Sequence, residues 1–388
     1  MAAPRTHRPR VGVLGAGQLV RMDLPAAIAL DVELVVLADS EDDAAVLAGA
    51  TGVVGDHREL DVLRAFARDV DVVTFEFEGV DPDHLATLAE EGVRLVPAPA
   101  AKLLAQDKLL QRRALRDGGF PVPPFAHAAR VEEVEAFAAE HGGWPVVLKV
   151  PRGGYDGRGV AVIEDADAAA AFLDGLPAGA LVEPALAIER ELAVQVARTS
   201  DGATATYPVV ETVQVDAMLR ELIAPAPVDA QLARDAEALA TAIVDHVGAT
   251  GLVAVELFVT PAGLQVNELA MRPHNSGHHT IEATTTSQFE QHVRAALDLP
   301  LGATDLVAPV AVTVNVVGPA DGSDPRDRRA EALAVAGAHV HLYGKEARPG
   351  RKLGHVTALA DDVETARAIA WRAASILEGA PAPVEARA

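Results

Sequence analysis

A glutamate set inside an apolar run is where this sequence first demands chemistry. Glu256 interrupts LVAVELFV, a place where an unpaired carboxylate would lose its water without compensation. It needs a cation, either an arginine or a metal. Twelve residues later Glu268 sits in QVNELA, and a turn over Thr260–Gly263 would fold the two strands into a hairpin with the carboxylates side by side. Asn267 adds a third oxygen. An all-oxygen donor set suits Mg²⁺, or Mn²⁺, with substrate phosphates as further ligands. Asn267 and Glu268 would face opposite ways on a regular strand. Both reach one ion only where the strand twists or ends, and Pro273 marks an end soon after.

Upstream, Lys149 closes the strand WPVVLKV and runs directly into PRGGYDGRGV. Glycines at 153, 154, 157 and 159 let backbone amides approach a polyphosphate. Lys149 and Lys108 supply fixed positive charge. The GxxxxGK[ST] spacing of a P-loop is absent, and taken alone the glycine run also fits a plain hairpin. Downstream, MRPHNSGHH places Arg272, His274 and Asn275 directly after the carboxylate strand. These donors suit a small oxyanion held beside a γ-phosphate. His274, whose ordinary pKa lies near neutrality, is a candidate proton carrier. His278 and His279 read as the start of a helix rather than as metal ligands.

The elements that must position these residues follow from periodicity. Apolar runs at Val11–Leu14, Leu34–Ala38, Val70–Phe75 and Arg94–Val96 alternate with helical stretches at Asp43–Ala48, Leu60–Arg68 and Pro82–Glu91. That alternation predicts a parallel sheet covered on both faces. Pro25 implies that the first helix is kinked or starts late. Gly118, Gly119, Pro121, Pro123 and Pro124 mark a subdomain boundary. A helix (Val131–His141), a strand (Pro145–Val150) and the glycine loop (Gly153–Gly159) come next. From Val182 to Ala270 strands dominate, interrupted by a helix at Val228–Val247. A single helix is expected over Thr280–Leu299. A last module from Ala308 carries strands near Val310–Val317, Ala338–Tyr343 and His355–Leu359, closed by a helix at Val363–Leu377. The tail APAPVEARA reads as disordered.

The chain has 388 residues, is half hydrophobic but only 4% aromatic, and carries a net charge of -23. Its cores must therefore be built from Ala, Val and Leu, across two or three domains. The acidity excludes nucleic acid and anionic membranes as partners, while a small phosphorylated substrate needs only a local cluster of Arg and Lys. No cysteine is present, which excludes thiol chemistry and suits a reducing cytosol. No secretory or membrane-spanning stretch is apparent, and a soluble cytoplasmic protein is expected. Gly15, Gly17 and Asp39 imitate a dinucleotide fingerprint, but Val20 stands where its third glycine belongs. The turn serves NAD, simply joins strand to helix, or offers its amides to another phosphate or ribonucleotide. The last is the reading carried forward, since helix N-termini bind anions without NAD.

The segments LKVPRGGYDGRG, VEPALAIERELAV, YPVVETVQ, VNELAMRPHNSGHHT and KEARPGRKLGHV resemble the successive motifs of the 5-(carboxyamino)imidazole ribonucleotide synthase family, in the ATP-grasp superfamily. The likeness runs from Val11 to Val356. It implies an α/β (α+β) ATP-grasp fold in three domains. These are a Rossmann-like parallel-sheet domain over 1–106, an ATP-grasp domain over 107–300 with a lid subdomain near 119–185, and a small β-rich domain over 301–388. It implies conversion of 5-aminoimidazole ribonucleotide (AIR), bicarbonate and ATP to the N5-carboxylated ribonucleotide, ADP and phosphate, by a homodimer. The nearest alternative is another ATP-grasp ligase such as formate-dependent glycinamide ribonucleotide transformylase. Outside that class stand a non-catalytic nucleotide-binding regulator and an NAD oxidoreductase.

By the same resemblance, Lys108 and Lys149 meet the nucleotide and Gly154 to Val160 (Gly154, Tyr155, Asp156, Gly157, Arg158, Gly159 and Val160) covers its phosphates. Glu183, Pro184, Ala185 and Leu186 meet adenine, Glu191 the ribose, and Gln214 lies near the nucleotide. Glu256 and Glu268 hold Mg²⁺ with Asn267 beside them. Gln18, Leu19 and Glu76 form the AIR pocket, and Lys345, Arg351 and Lys352 receive its phosphate. Tyr155, Asp156 and Arg158, with Arg272, His274 and Asn275, lie near bicarbonate and AIR. The family's GQLGRM reads GQLVRM here, so Val20 crowds the first turn. The implied chemistry runs through carboxyphosphate, with Arg272 as a bidentate fork, Asp156 or Glu76 as base for the amine, and the glycine loop as lid.

Overall fold

Short runs of Val, Leu and Ala punctuated by Gly, Pro and Asp set the first elements of the computed structural model, which describes residues 8–154 and 159–380. β1 (Arg10–Leu14), α1 (Gln18–Ala29), β2 (Glu33–Ala38), α2 (Ala44–Leu47), β3 (Thr51–Val54), α3 (Leu60–Ala67), β4 (Val72–Phe75) and α4 (Pro82–Glu90) alternate along the chain. The strands form an all-parallel sheet in the order β3-β2-β1-β4. Two expectations need correction here. Arg94–Val96 is not a strand but a single parallel bridge, Val73 to Leu95. α1 does not start late: it begins at Gln18 and runs through Pro25, forgoing one backbone bond at the proline. β3, exposed along its length at the sheet edge, lacks the apolar run that betrays a buried strand.

Two helices not anticipated from periodicity follow, α5 (Pro99–Gln106) and α6 (Lys108–Asp117), separated only by Asp107. Next come β5 (Ala126–Ala128), α7 (Val131–Glu140), β6 (Val146–Lys149), β7 (Val160–Ile163), α8 (Ala166–Leu173) and β8 (Ala180–Pro184). Their strands make an antiparallel sheet ordered β5-β8-β6-β7. Val134, Phe137, Val146, Leu148 and Val182 are among the residues of its own small core.

The remainder comprises β9 (Arg190–Arg198), β10 (Thr204–Thr206), β11 (Val210–Val215), β12 (Met218–Ala224), α9 (Ala230–Val247), β13 (Gly251–Thr260), β14 (Gly263–Ala270), α10 (Thr280–Ala283), α11 (Gln288–Ala296), β15 (Val310–Val317), α12 (Arg329–Leu333), β16 (Ala338–Leu342), β17 (Lys352–Ala360) and α13 (Val363–Glu378). One nine-stranded antiparallel sheet runs β14-β13-β9-β11-β12-β15-β17-β16, with β10 on β9. The C-terminal strands thus extend the central sheet through the β12–β15 pairing. The single helix expected over Thr280–Leu299 is broken. Thr284 Oγ1 donates to Thr280 O at 2.9 Å and Ser287 Oγ accepts from Glu290 N at 3.1 Å, ending α10 and capping α11. A TTTS run favours such local bonds over a continuous helix. Aspartates cap α4, α6, α8, α9 and α13 in the same way. Among the described residues no helix is long and apolar enough to cross a membrane.

Candidate active site

The β13–β14 hairpin turns at Thr260–Gly263, where Thr260 Oγ1 donates to Gly263 O at 2.9 Å. Its register sets Glu256 directly opposite Glu268, then shifts so that Leu257 pairs with Val266. Asn267 is the extra residue of that bulge. A bulge re-aims a side chain, and here Asn267 Nδ2 donates to Glu256 Oε2 at 3.0 Å while its Oδ1 accepts from Lys149 Nζ at 3.4 Å. This resolves the facing problem posed by a regular strand. Lys108 Nζ lies 2.6 Å from Glu268 Oε1. Burial, then the charges of Glu268 and Glu191, push the Glu256 carboxyl up to about 7 against the pull of Lys108 and Asn267. Two crowded carboxylates with one of them so raised fit a divalent cation. Among the described residues no three His, Cys, Asp or Glu converge as a metal cluster. A pair of carboxylates with phosphate and water oxygens completing the shell is the habit of Mg²⁺.

The lysines are held by a frame that spacing alone did not expose. Asp107 caps α6 through the amides of Leu109 (3.0 Å) and Leu110 (2.9 Å) and accepts from Arg152 Nε at 2.8 Å. The Lys108 amide donates to Pro151 O at 2.9 Å, so the base of the glycine segment is tied to α6. At its other end Gly159 has φ of 76°, and a Cβ there would lie 2.4 Å from a Val150 methyl. Only glycine closes the segment in that form. Gly154 and Val160 flank it; Tyr155, Asp156, Gly157 and Arg158 lie outside the described residues.

Glu183, on β8, is buried and pairs with both Arg112 and Lys149, the latter at 2.7 Å. Burial alone would raise its pKa, but Arg112 and Lys149 outweigh that and hold it below the usual carboxylate range. Its side chain is therefore committed to cations, and Pro184, Ala185 and Leu186 follow it directly along the chain. Glu191, on β9, is raised by burial, with hydrogen bonding from Gln214 and the charge of Lys149 opposing. The structure thus brings Gln214 beside Glu191.

Arg272, His274 and Asn275 follow β14. Arg272 Nη1 donates to Pro273 O at 3.0 Å, and its Nε lies 3.2 Å from Glu78 Oε1. His274 Nδ1 accepts from the Ser276 amide at 3.3 Å and lies 2.7 Å from Ser276 Oγ, which accepts from Gln195 Nε2 at 2.7 Å. That polarity leaves the proton on Nε2, 3.5 Å from Glu256 Oε1. The expected near-neutral titration of His274 is corrected: burial, then the Arg272 and Lys352 charges, push it down to about 3. The ring is neutral at pH 7 and acts as a hydrogen-bonding group. Both amide atoms of Asn275 are buried without a partner among the described residues, the state of a side chain that a polar ligand would satisfy. His278 and His279 precede α10 as expected.

At the N-terminal turn, Glu76 accepts from the amides of Gly17 and Leu19, the latter at 2.9 Å. The amides expected to meet a phosphate or ribonucleotide are here bonded to a carboxylate, which is raised by burial against those bonds and the charges of Lys345 and Arg272. Gln18 contacts Lys345 Nζ, which draws the 343–352 segment onto this turn. Arg351 donates to Glu346 O at 3.1 Å, and Lys352 opens β17. Val20 is buried in the cluster shared with Val293 of α11, so it is packed rather than crowded out. Sequence reasoning passed over Arg112, Glu78, Lys102, Asp107 and Gln195. Arg112 lies one turn after Lys108 on the same helix face, and Glu78 continues the alternation of TFEFE; both signals were present.

Comparison with known proteins bears on this arrangement. Residues 9–106 match the ribonucleotide synthetase preATP-grasp domain, 113–289 the ATP-grasp domain, and 311–369 the phosphoribosylaminoimidazole carboxylase C-terminal domain. The chain is 47% identical over 366 residues to an N5-carboxyaminoimidazole ribonucleotide synthase of Mycobacterium tuberculosis, covering 92% of this chain and 84% of that one. It is 42% identical to the corresponding enzyme of Corynebacterium ammoniagenes, over 97% and 94% of the two chains. Among solved structures, the N5-carboxyaminoimidazole synthase of Aspergillus clavatus in complex with ADP and 5-aminoimidazole ribonucleotide superposes with a TM-score of 0.86 at 34% identity, over 96% and 99% of the chains. The synthetase of Thermus thermophilus gives 0.86 at 35%, over 97% and 100%. Likeness of this extent, carried through all three matched segments, places the chain in the N5-carboxyaminoimidazole ribonucleotide synthase family of ATP-grasp ligases.

Proposed function

We propose that the chain joins the amine of AIR to bicarbonate at the expense of ATP, in purine biosynthesis, releasing ADP and phosphate. The observation that carries this reading is the meeting of two half-sites. His274 links the Glu256–Asn267–Glu268 hairpin and its lysines to the oxyanion donors, and Arg272 links those donors to the TFEFE turn. A phosphoryl donor, a small oxyanion and a ribonucleotide can thus share one cleft. Lys108 and Lys149 meet the phosphates. The Glu183–Leu186 segment meets adenine, and Glu191 with Gln214 the ribose.

Glu256 and Glu268 would hold Mg²⁺, which would supply charge neutralisation at the transferring phosphoryl group. Asn267 steadies Glu256 and Lys149. A bicarbonate oxygen attacks the γ-phosphorus and the bond to ADP breaks, giving carboxyphosphate. The amine nitrogen then attacks the carboxyl carbon, phosphate leaves, and the nitrogen loses a proton. Arg272 and Asn275 hold the oxyanion, with His274 as a neutral hydrogen-bond donor. Gln18, Leu19, Glu76, Lys345, Arg351 and Lys352 seat the ribonucleotide. Positioning and fixed charge do most of the work.

The route through carboxyphosphate is tested with ¹⁸O-bicarbonate: one label must appear in the released phosphate, and unlabelled phosphate would contradict it. The division into domains at 106/107 and 300/301 belongs to the same reading, supported by family matches that end at 106 and resume at 113, and that end at 289 and resume at 311. So does a cytoplasmic homodimer, for which sedimentation should give about twice the 40.3 kDa chain mass.

A further inference from the structure

Lys102, on α5, is a fully buried lysine that no part of the mechanism above uses. Its Nζ donates to Phe77 O at 3.0 Å, pairs with Glu78 Oε2, and lies 5.0 Å from the centroid of the Phe75 ring. The other oxygen of Glu78 faces Arg272 at 3.2 Å as an ion pair without the alignment of a hydrogen bond. Gln106, one turn further along α5, donates to the backbone oxygens of Glu78 and Val80. α5 therefore grips the Glu78 turn by both side chain and backbone. One carboxylate stands between two cations. Burial lowers the affinity of Lys102 for its proton and Glu78 opposes that, while Glu78 itself is held below the usual carboxylate range by Lys102 and Arg272 despite burial.

We propose that Lys102 is a positioning residue that neutralises Glu78, so that Glu78 orients Arg272 without cancelling the positive charge Arg272 offers to bicarbonate. Arg272 has its Nε side toward Glu78 and one Nη1 hydrogen on Pro273 O; an oxyanion is left the remaining Nη hydrogens. With Lys102 the triad carries one net positive charge. Without it, Glu78 and Arg272 form a neutral pair, and attraction for an anion in a poorly hydrated cleft falls accordingly. The inference rests on the reading of Arg272 as an oxyanion donor.

The test is steady-state kinetics on the full chain with three variants. Lys102→Met should raise the KM for bicarbonate about tenfold or more, leave those for ATP and AIR within about twofold, and change kcat little at saturating bicarbonate. The double variant Lys102→Met/Glu78→Gln restores one net charge and should return the bicarbonate KM to within about threefold of native, a rescue that a merely structural lysine would not give. If Lys102→Met leaves that KM unchanged while Arg272→Ala raises it, the inference is overturned and the site reading stands. If Arg272→Ala also leaves it unchanged, the site reading itself fails and the inference with it. An equal rise in the single and double Lys102 variants overturns the charge-balancing role. Should Lys102→Met not fold, the double variant decides: near-native bicarbonate KM supports the inference, and a rise of about tenfold or more overturns it.

Discussion

Glu183 holds Arg112 and Lys149 with one carboxylate in a place water barely reaches. Glu183→Gln would strand both cations, and breaking such a buried set costs about 3–5 kcal/mol, read as a drop in denaturant midpoint. The native carboxyl has a pKa below the ordinary 4.5, so in acid the unfolded chain takes up the proton first. The stability from this group is complete above that pH and is lost as pH falls toward the folded pKa. Unfolding measured from pH 7 down into that range should therefore show a shallower decline for Glu183→Gln than for the native chain; equal slopes would contradict the pairing. Asn275 predicts the opposite separation of stability from activity. Its amide atoms are buried and unpartnered, so Asn275→Ala should leave the melting temperature unchanged or higher while turnover falls about tenfold or more. A large loss of stability would show that the amide serves the fold instead.

At the scale of elements, the site depends on one bulge and one cap. Asp107 caps α6 and anchors Arg152, so Asp107→Ala should cost about 1 kcal/mol of stability and raise the KM for ATP by loosening Lys108. An unchanged KM would mean that Lys108 is positioned by other contacts. The hairpin carrying Glu256 and Glu268 was legible because carboxylates inside apolar strands and a Pro-Ala-Gly turn are local signals. The bulge at Asn267 was not, since it arises from the register of β14 against β13. The helix break at residues 284–287 was hidden because apolar periodicity continues across it, whereas hydroxyl bonds stop the helix. α5 escaped notice for a different reason: its buried face includes Lys102, whose burial makes sense only with Glu78 opposite. Neutral His274 belongs with these, because its pKa reflects burial, the neighbouring Arg272 and the charge of Lys352, brought from a distant segment.

Over the whole molecule, one sheet carries the carboxylate hairpin at one end and the strands leading to Lys352 toward the other. Lys345, between the last two strands of that sheet, meets Gln18 at the start of α1. Hydrogen exchange should therefore show β12, β15 and β17 opening as one cooperative unit; faster independent exchange of β15 and β17 would contradict a continuous sheet. Lys345→Ala should raise the KM for AIR while leaving that for ATP unchanged. The central claim concerns the coupling of the two half-sites, and ADP release by the purified protein with Mg·ATP tests it most directly, with AIR and bicarbonate added separately and together. The account predicts that strong ADP release requires AIR, and that a carboxylated adduct forms only when bicarbonate is present. ADP release indifferent to AIR would contradict it.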